Sequence, residues 1–303
     1  MISVEHLTRK FGNVTAVEDL TFDIQDGEVF AFLGPNGAGK TTTLRILCCL
    51  ISKTSGKVSI DGLDPASPSD ALKIRAGIGL APDDVGLYNE LTVTDNLTFY
   101  ARLFDFPAAR TRQNIERYLK ALGLWEQRDA PGGTLSKGMK QKLSVVRALV
   151  HEPRLLFLDE PTANLDPEAS KTVRDFILDL KSEKRTIFLN THNLDEAQKL
   201  SDKIGILQTM LLTVGTPEEL KTSLWGTKTE ITLAHPSDAV VGALQKLAPG
   251  MVEADGAKIL VNVKDEALDN PRIVAAVVSA GGEIVTVTQK TSTLEDVYLK
   301  FVR

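Results

Sequence analysis

Residues Gly34–Thr42 read GPNGAGKTT and fit the pattern G-x-x-x-x-G-K-[ST], which few folds can accommodate. The run before it, Val29–Leu33 (VFAFL), is apolar and of strand type, and Thr41–Leu50 can continue as a helix. Strand, tight turn and helix in that order point to an α/β sheet. The glycines at 34, 37 and 39 let the backbone curl so that successive N–H groups face one anion, and the helix adds its positive end. Pro35, Asn36, Ala38 and Thr42 complete the loop. Lys40 is expected to reach the β- and γ-phosphates of a nucleoside triphosphate, and the Thr41 hydroxyl to hold Mg²⁺. A glycine-rich turn that binds nothing is the competing reading, and the flanking strand and helix weigh against it.

A second apolar run, Leu155–Leu158, ends in Asp159 and Glu160. An uninterrupted apolar run of this length reads as a central strand of a parallel sheet, whose carboxyl end gathers chemistry. Asp159 there can hold Mg²⁺, and Glu160 can orient and polarise a water. Between the two elements stands LSKGMKQ, from Leu135. Ser136 suits a helix N-cap, and KQKLSVVRALV behind it has helical apolar spacing. A hydroxyl, backbone N–H groups and a helix N-terminus make this a second anion-binding place, separate from the loop. His192 directly follows the apolar run TIFLN and one threonine, also at a strand's carboxyl end. An imidazole there can donate to a γ-phosphate. His6, His151 and His235 lack companions at metal-ligand spacing and read as structural or surface residues.

In order and spacing, roughly the first 220 residues resemble the nucleotide-binding subunits of ATP-binding cassette (ABC) transporters. GPNGAGKTT resembles the Walker A motif, LLFLDEP Walker B, LSKGMKQ the signature usually written LSGGQ, and TANLDP, with its acid Asp166, the D-loop. His192 resembles the switch histidine and Phe11 the aromatic that stacks on adenine. The resemblance implies an ATPase using ATP and Mg²⁺, in which Ser136 and Gly138 of one protomer meet the γ-phosphate held by Lys40 of another. The working unit is then a homodimer or a paired ATPase subunit, with an integral-membrane permease as partner. The Q-loop glutamine aligns with Asp83, which can touch Mg²⁺ or the attacking water but cannot donate as an amide does. Asp83, with Lys137 and Met139 in the signature, resembles the cassettes of drug- and ion-extrusion systems. An importer subunit, and a cassette ATPase acting on nucleic acid or ribosomes, are the alternatives.

The expected fold is an α/β P-loop NTPase core with an N-terminal antiparallel β-subdomain and a helical subdomain at about 85–150. A small C-terminal α+β domain follows, with the ATP-binding domain at 1–222 and the accessory domain at 223–303. Thr216, Pro217 and Glu219 read as a capping box that opens a helix. Beyond Gly226 come strand-like TEITL, helix-like SDAVVGALQKL, strand-like AKILVNV, helix-like PRIVAAVVSA and strand-like EIVTVTQ. A last helix is capped by Thr293 or Ser292, and Thr94 caps one in TVTDNLTFYARLF. A net charge of −5 without a long basic run speaks against a nucleic-acid partner. Cys48 and Cys49 sit in apolar LRILCCL and read as core of a reduced, cytosolic protein. No apolar stretch reaches the roughly 18 residues of a membrane span, and no signal peptide opens the chain. The expected location is therefore cytoplasmic, peripheral on the membrane's inner face.

Overall fold

The computed structural model describes residues 1–303 apart from 84, 85, 164, 226, 264, 291, 292 and 303, and apart from the side chains of 223–225, 227 and 266. The chain divides into two compact units, Met1–Thr216 and Pro217–Arg303. The division lies six residues before the boundary drawn from sequence, because the helix opened by Pro217 belongs to the second unit.

In the first unit the continuous apolar runs become buried strands. β3 (Val29–Leu33), β6 (Leu155–Asp159) and β7 (Thr186–Thr191) are buried at every position. With β5 (Ile78–Ala81), β8 (Lys203–Gln208) and β9 (Met210–Gly215) they form a six-stranded sheet in the order β5-β6-β7-β3-β8-β9. Pairing is parallel except between β8 and β9. The carboxyl ends of β3, β6 and β7 thus lie side by side. A second sheet of β1 (Ile2–Phe11), β2 (Val14–Ile24) and β4 (Ser55–Ile60) is antiparallel. Phe22 of β2 carries its core onto the first sheet, with ring centroids 5.3 Å from Phe30 and 5.0 Å from Phe32. Helix α1 (Lys40–Leu47) leaves the loop and buries Leu44, Ile46 and Leu47 in the same core as Cys48.

After α2 (Pro68–Gly77), the chain between 93 and 149 is chiefly helical: α3 (Val93–Leu103), α4 (Ala108–Ala121) and α5 (Lys137–Leu149). Residue 85, where the sequence starts this subdomain, lies outside the described residues. Thr92, not Thr94, caps α3, accepting from Asp95 N at 3.0 Å while donating to the Asp95 carboxylate. Asp95 stands three residues after Thr92, which gives that threonine the reciprocal partner. The Thr94 hydroxyl donates to Arg128 O instead. α6 (Pro167–Ser182) and α7 (Leu194–Leu200) complete the unit.

The second unit opens with α8 (Pro217–Trp225) and pairs β10 (Thr227–Leu233), β11 (Val252–Asp255), β12 (Lys258–Val263) and β13 (Ile284–Lys290) in an antiparallel sheet ordered β11-β12-β10-β13. α9 (Asp238–Leu247) and α10 (Glu266–Ser279) pack Val240, Leu244, Ile273 and Val277 against Ile231, Ile259 and Val261. Strand β11 was not expected from sequence: VEAD is short and mostly exposed, so no apolar pattern marks it. The expected helix at Pro271 starts five residues earlier, with Pro271 inside it. Asp265 caps that start by accepting from Ala267 N and Leu268 N. α11 (Leu294–Val302) is capped by Thr293, which accepts from Asp296 N at 3.1 Å; Ser292 lies outside the described residues. Among the described residues no helix is long and apolar enough to cross a membrane.

Candidate active site

Between β3 and α1 the loop turns through Gly37 at φ +84° and Gly39 at φ +99°. Pro35 is half-buried and Asn36 and Gly37 are exposed, whereas Gly34, Ala38, Gly39 and Lys40 are buried. A Cβ on Gly39 would stand 2.5 Å from Ala16 O, and one on Gly34 would stand 2.3 Å from Leu207 O. Glycine at these positions lets the loop backbone approach its neighbours that closely. The Lys40 ammonium donates to Gly34 O at 2.6 Å and Pro35 O at 3.2 Å, and lies 3.7 Å from Glu160 Oε1. Burial pulls this ammonium below its ordinary range, against the attraction of Glu160 and Asp159.

At the next strand's end the Thr41 hydroxyl donates to Asp159 Oδ2 at 2.9 Å, and Asn190 Nδ2 donates to Asp159 Oδ1 at 3.0 Å. A hydroxyl and a carboxylate side by side form an oxygen-only donor set that suits a hard divalent cation completed by phosphate oxygens. Glu160 Oε2 lies 2.8 Å from His192 Nδ1, so the acid is flanked by Lys40 on one side and His192 on the other. Lys40, Thr41, Asp159, Glu160 and His192 are thus joined through direct contacts at the carboxyl ends of three neighbouring strands.

Other expected site residues stand apart from this group. Ser136 caps α5, exposed, its hydroxyl accepting from Met139 N at 3.2 Å. Gly138 leaves room for Leu165, whose Cδ2 would be 3.1 Å from an added Cβ. Asp166 caps α6, and the N–H of Ala169 at 2.8 Å holds its carboxyl below the usual range. Phe11 is exposed at the end of β1, one face covered by the Arg9 guanidinium at 4.3 Å. Thr42 is half-buried in the first turn of α1. Asp83 is exposed beyond β5; among the described residues no hydrogen bond ties it to Thr41, Asp159 or Glu160. His6 pairs with Asp19 at 2.7 Å, and His151 is buried with Nε2 at 2.9 Å from Ile78 O and its ring stacked on Phe104.

Several residues of the site were not singled out from sequence. Asn190 is fully buried and serves twice, holding Asp159 by its side chain and accepting from Glu160 N at 2.9 Å. Gln141, the last letter of LSKGMKQ, donates to Glu160 O at 3.3 Å. Glu196 is fully buried and accepts from Thr162 and Thr191, which stand near Glu160 and His192 in the chain. The signal for Gln141 lay in the motif itself. Asn190 ends an apolar run in which a polar residue needs a buried partner.

Comparison with known proteins places this geometry in a family. The family model described as "ABC transporter" matches residues 17–163, and that of the "ATP-binding protein DrrA1-3-like, C-terminal domain" matches 215–302. The chain is 32% identical to the "Nod factor export ATP-binding protein I" of Ralstonia nicotianae, over 99% of this chain and 93% of that one. It is 30% identical to the "Linearmycin resistance ATP-binding protein LnrL" of Bacillus subtilis, over 82% and 80% respectively. A solved structure described as "Structure of ATP binding subunit of ABC transporter" superposes with a TM-score of 0.68 at 29% identity, over 74% of this chain and 92% of that one.

Proposed function

This chain belongs to the ABC transporter family as one of its ATP-hydrolysing subunits, and from that premise we propose that it dimerises around two ATP molecules and drives a separate integral-membrane permease in export. The observation that carries the reading is the split of anion-binding elements. Lys40, Asp159, Glu160 and His192 meet around the loop, whereas Ser136 is exposed at a second helix N-terminus and, among the described residues, bonds Met139 N rather than any group of the loop. Two such chains facing each other complete two sites.

In each site Lys40 exchanges the carbonyls of Gly34 and Pro35 for phosphate oxygens, and the backbone N–H groups of residues 37–42 orient the β-phosphate. Thr41 and Asp159 are the residues that would hold Mg²⁺, which supplies charge neutralisation on the phosphates. Glu160 polarises the attacking water, with His192 2.8 Å away steadying the carboxylate and able to turn toward the γ-phosphate. Ser136 and Gly138 of the partner add donors where charge builds. Phe11 offers adenine its face opposite Arg9, and Asp166 lies in the loop that faces the partner.

Export is supported by Asp83 and LSKGMKQ and by the relatives named for export and resistance. For the permease, a groove of about 260 Å³ is lined by Leu50, Leu80, Pro82, Tyr100 and Phe104, with Arg147 at its wall, and reaches Pro82, the residue before Asp83. It suits an apolar helix end from a membrane partner. Glu160→Gln tests the whole reading. Turnover is expected to fall about 10²–10⁴-fold while an ATP-dependent dimer accumulates in light scattering. A variant that stays monomeric with Mg-ATP and turns over normally rejects it.

A further inference from the structure

Glu196 lies in the first turn of α7 and has no exposed surface. Its sequence context, N-x-x-E from Asn193, reads as a capping box, in which the acid would accept from the N–H of the capping residue. The structure gives that N–H to Thr191 Oγ1 at 3.0 Å instead. Only the other half of the cap is made, with Glu196 N donating to Asn193 Oδ1 at 3.1 Å. The carboxylate is therefore free of the helix end and turned inward. Oε1 accepts from Thr162 Oγ1 at 2.9 Å, and Oε2 accepts from Thr191 Oγ1 at 2.5 Å.

The two hydroxyls come from different strands' ends. Thr162 is two residues after Glu160, and Thr191 immediately precedes His192. One buried carboxylate thus grips the chain beside each member of the Glu160–His192 pair. Burying a carboxylate is costly unless its hydrogen bonds are met, and burial raises the carboxyl above its ordinary range. An apolar residue of the same size would fill the space without that cost. What it could not do is hold two separate segments at a fixed spacing.

We propose that Glu196 is a positioning residue: it clips the loop after β6 to the end of β7 and so keeps the Glu160 carboxylate in line for hydrolysis. The proposal rests on the reading of Glu160 as the group that polarises water. It requires that loosening the clip slow the chemical step, with ATP binding unaffected.

Thr162 gives the cleanest test because it is only half-buried and Thr→Val preserves its shape. Phosphate release by the full-length chain is measured over a range of Mg-ATP concentrations for Thr162→Val and Thr162→Ser, each in the parent and in the Glu160→Gln background. Thr162→Val is expected to lower kcat about tenfold with KM within about twofold, since small displacements of a reacting group carry such penalties. Thr162→Ser, which keeps the hydroxyl, restores the rate. In the Glu160→Gln background Thr162→Val adds no further slowing, because the carboxylate that it positions is gone. Parental kcat in Thr162→Val overturns the clip, as does an equal fold loss in both backgrounds, which marks a general structural effect. If Glu160→Gln itself turns over at the parental rate, the failure belongs to the reading of Glu160.

Discussion

Gly39→Ala is expected to destabilise the first unit heavily. The residue has φ +99° and ψ 2°, left-handed backbone that costs an L-residue about 1–2 kcal/mol. Its new Cβ would also stand 2.4 Å from Val17 Cγ1 and 2.5 Å from Ala16 O. Both neighbours belong to β2, which is paired to β1 and cannot retreat without breaking ladder bonds. Overpacking of this kind adds about 1–3 kcal/mol. The sum, about 2–5 kcal/mol, corresponds to a drop in Tm of roughly 4–20 °C for a unit of this size. Gly37→Ala is the internal control: its φ is +84°, yet nothing lies within 4 Å of the added Cβ. Only the backbone term applies, about 1–2 kcal/mol or roughly 2–8 °C. Calorimetry of the full chain reads both. A Gly39→Ala melting within about 2 °C of the parent would refute the reasoning. So would a Gly37→Ala chain that loses as much stability as Gly39→Ala.

Lys40→Ala is expected to weaken ATP binding by at least about tenfold, the worth of one charge-assisted hydrogen bond, and to abolish phosphate release; nucleotide titration checks it. Ser136→Arg should leave ATP binding to the single chain intact while blocking hydrolysis, and mixed with Lys40→Ala chains it should recover activity at the one unmodified site. Absence of recovery in verified heterodimers counts against sharing between protomers. A chain ending at Thr216 should stay folded and bind ATP, because the second unit has its own core of Ile231, Val240, Ile259 and Val277; insolubility of that fragment would place the boundary elsewhere. Glu196→Gln should change the pH dependence of stability. The parent's raised carboxyl makes folding costly above its folded pKa and not below the ordinary 4.5, so stability falls as pH rises between them. The variant should therefore gain Tm over the parent at neutral pH, with the gain fading toward pH 4.5; a difference independent of pH would show that the group does not titrate there.

Much of the fold was legible because its signals are local. VFAFL, LLFLD and TIFLN are unbroken apolar runs, and only buried central strands need that pattern. The glycine spacing of the loop and the serine of LSKGMKQ announced their backbone roles in the same way. What was missed depends on partners distant in sequence. β11 forms because β12 offers an edge, although VEAD carries no pattern of its own. The start of α10 is set by the Asp265 cap, six residues upstream of the proline that the sequence offered as its first turn. Gln141, Asn190 and Glu196 sit 19, 30 and 36 residues from Glu160 in the chain, so nothing in the local sequence around that acid names them.

The backbone of Glu160 shows how those distant residues matter. Its φ is +52°, a left-handed conformation that is uncommon for a residue with a long side chain. Pro161 follows, and a proline disfavours the right-handed helical region for the residue before it. Continuing β6 in extended form would be the cheap alternative. The structure instead turns the chain at Glu160, with Asn190 O accepting its N–H at 2.9 Å and its own carbonyl taking Gln141 Nε2 and Ala163 N. Glycine or asparagine would occupy that conformation at lower cost, yet neither brings a carboxylate within reach of both Lys40 and His192. Strain of this size persists only where the surroundings over-determine it. Here Asn190 at the end of a buried strand and Gln141 of α5 both bond the backbone of that one residue. The position is thus held against its own backbone preference with its carboxylate between Lys40 and His192, the placement that the water-polarising role proposed for Glu160 calls for.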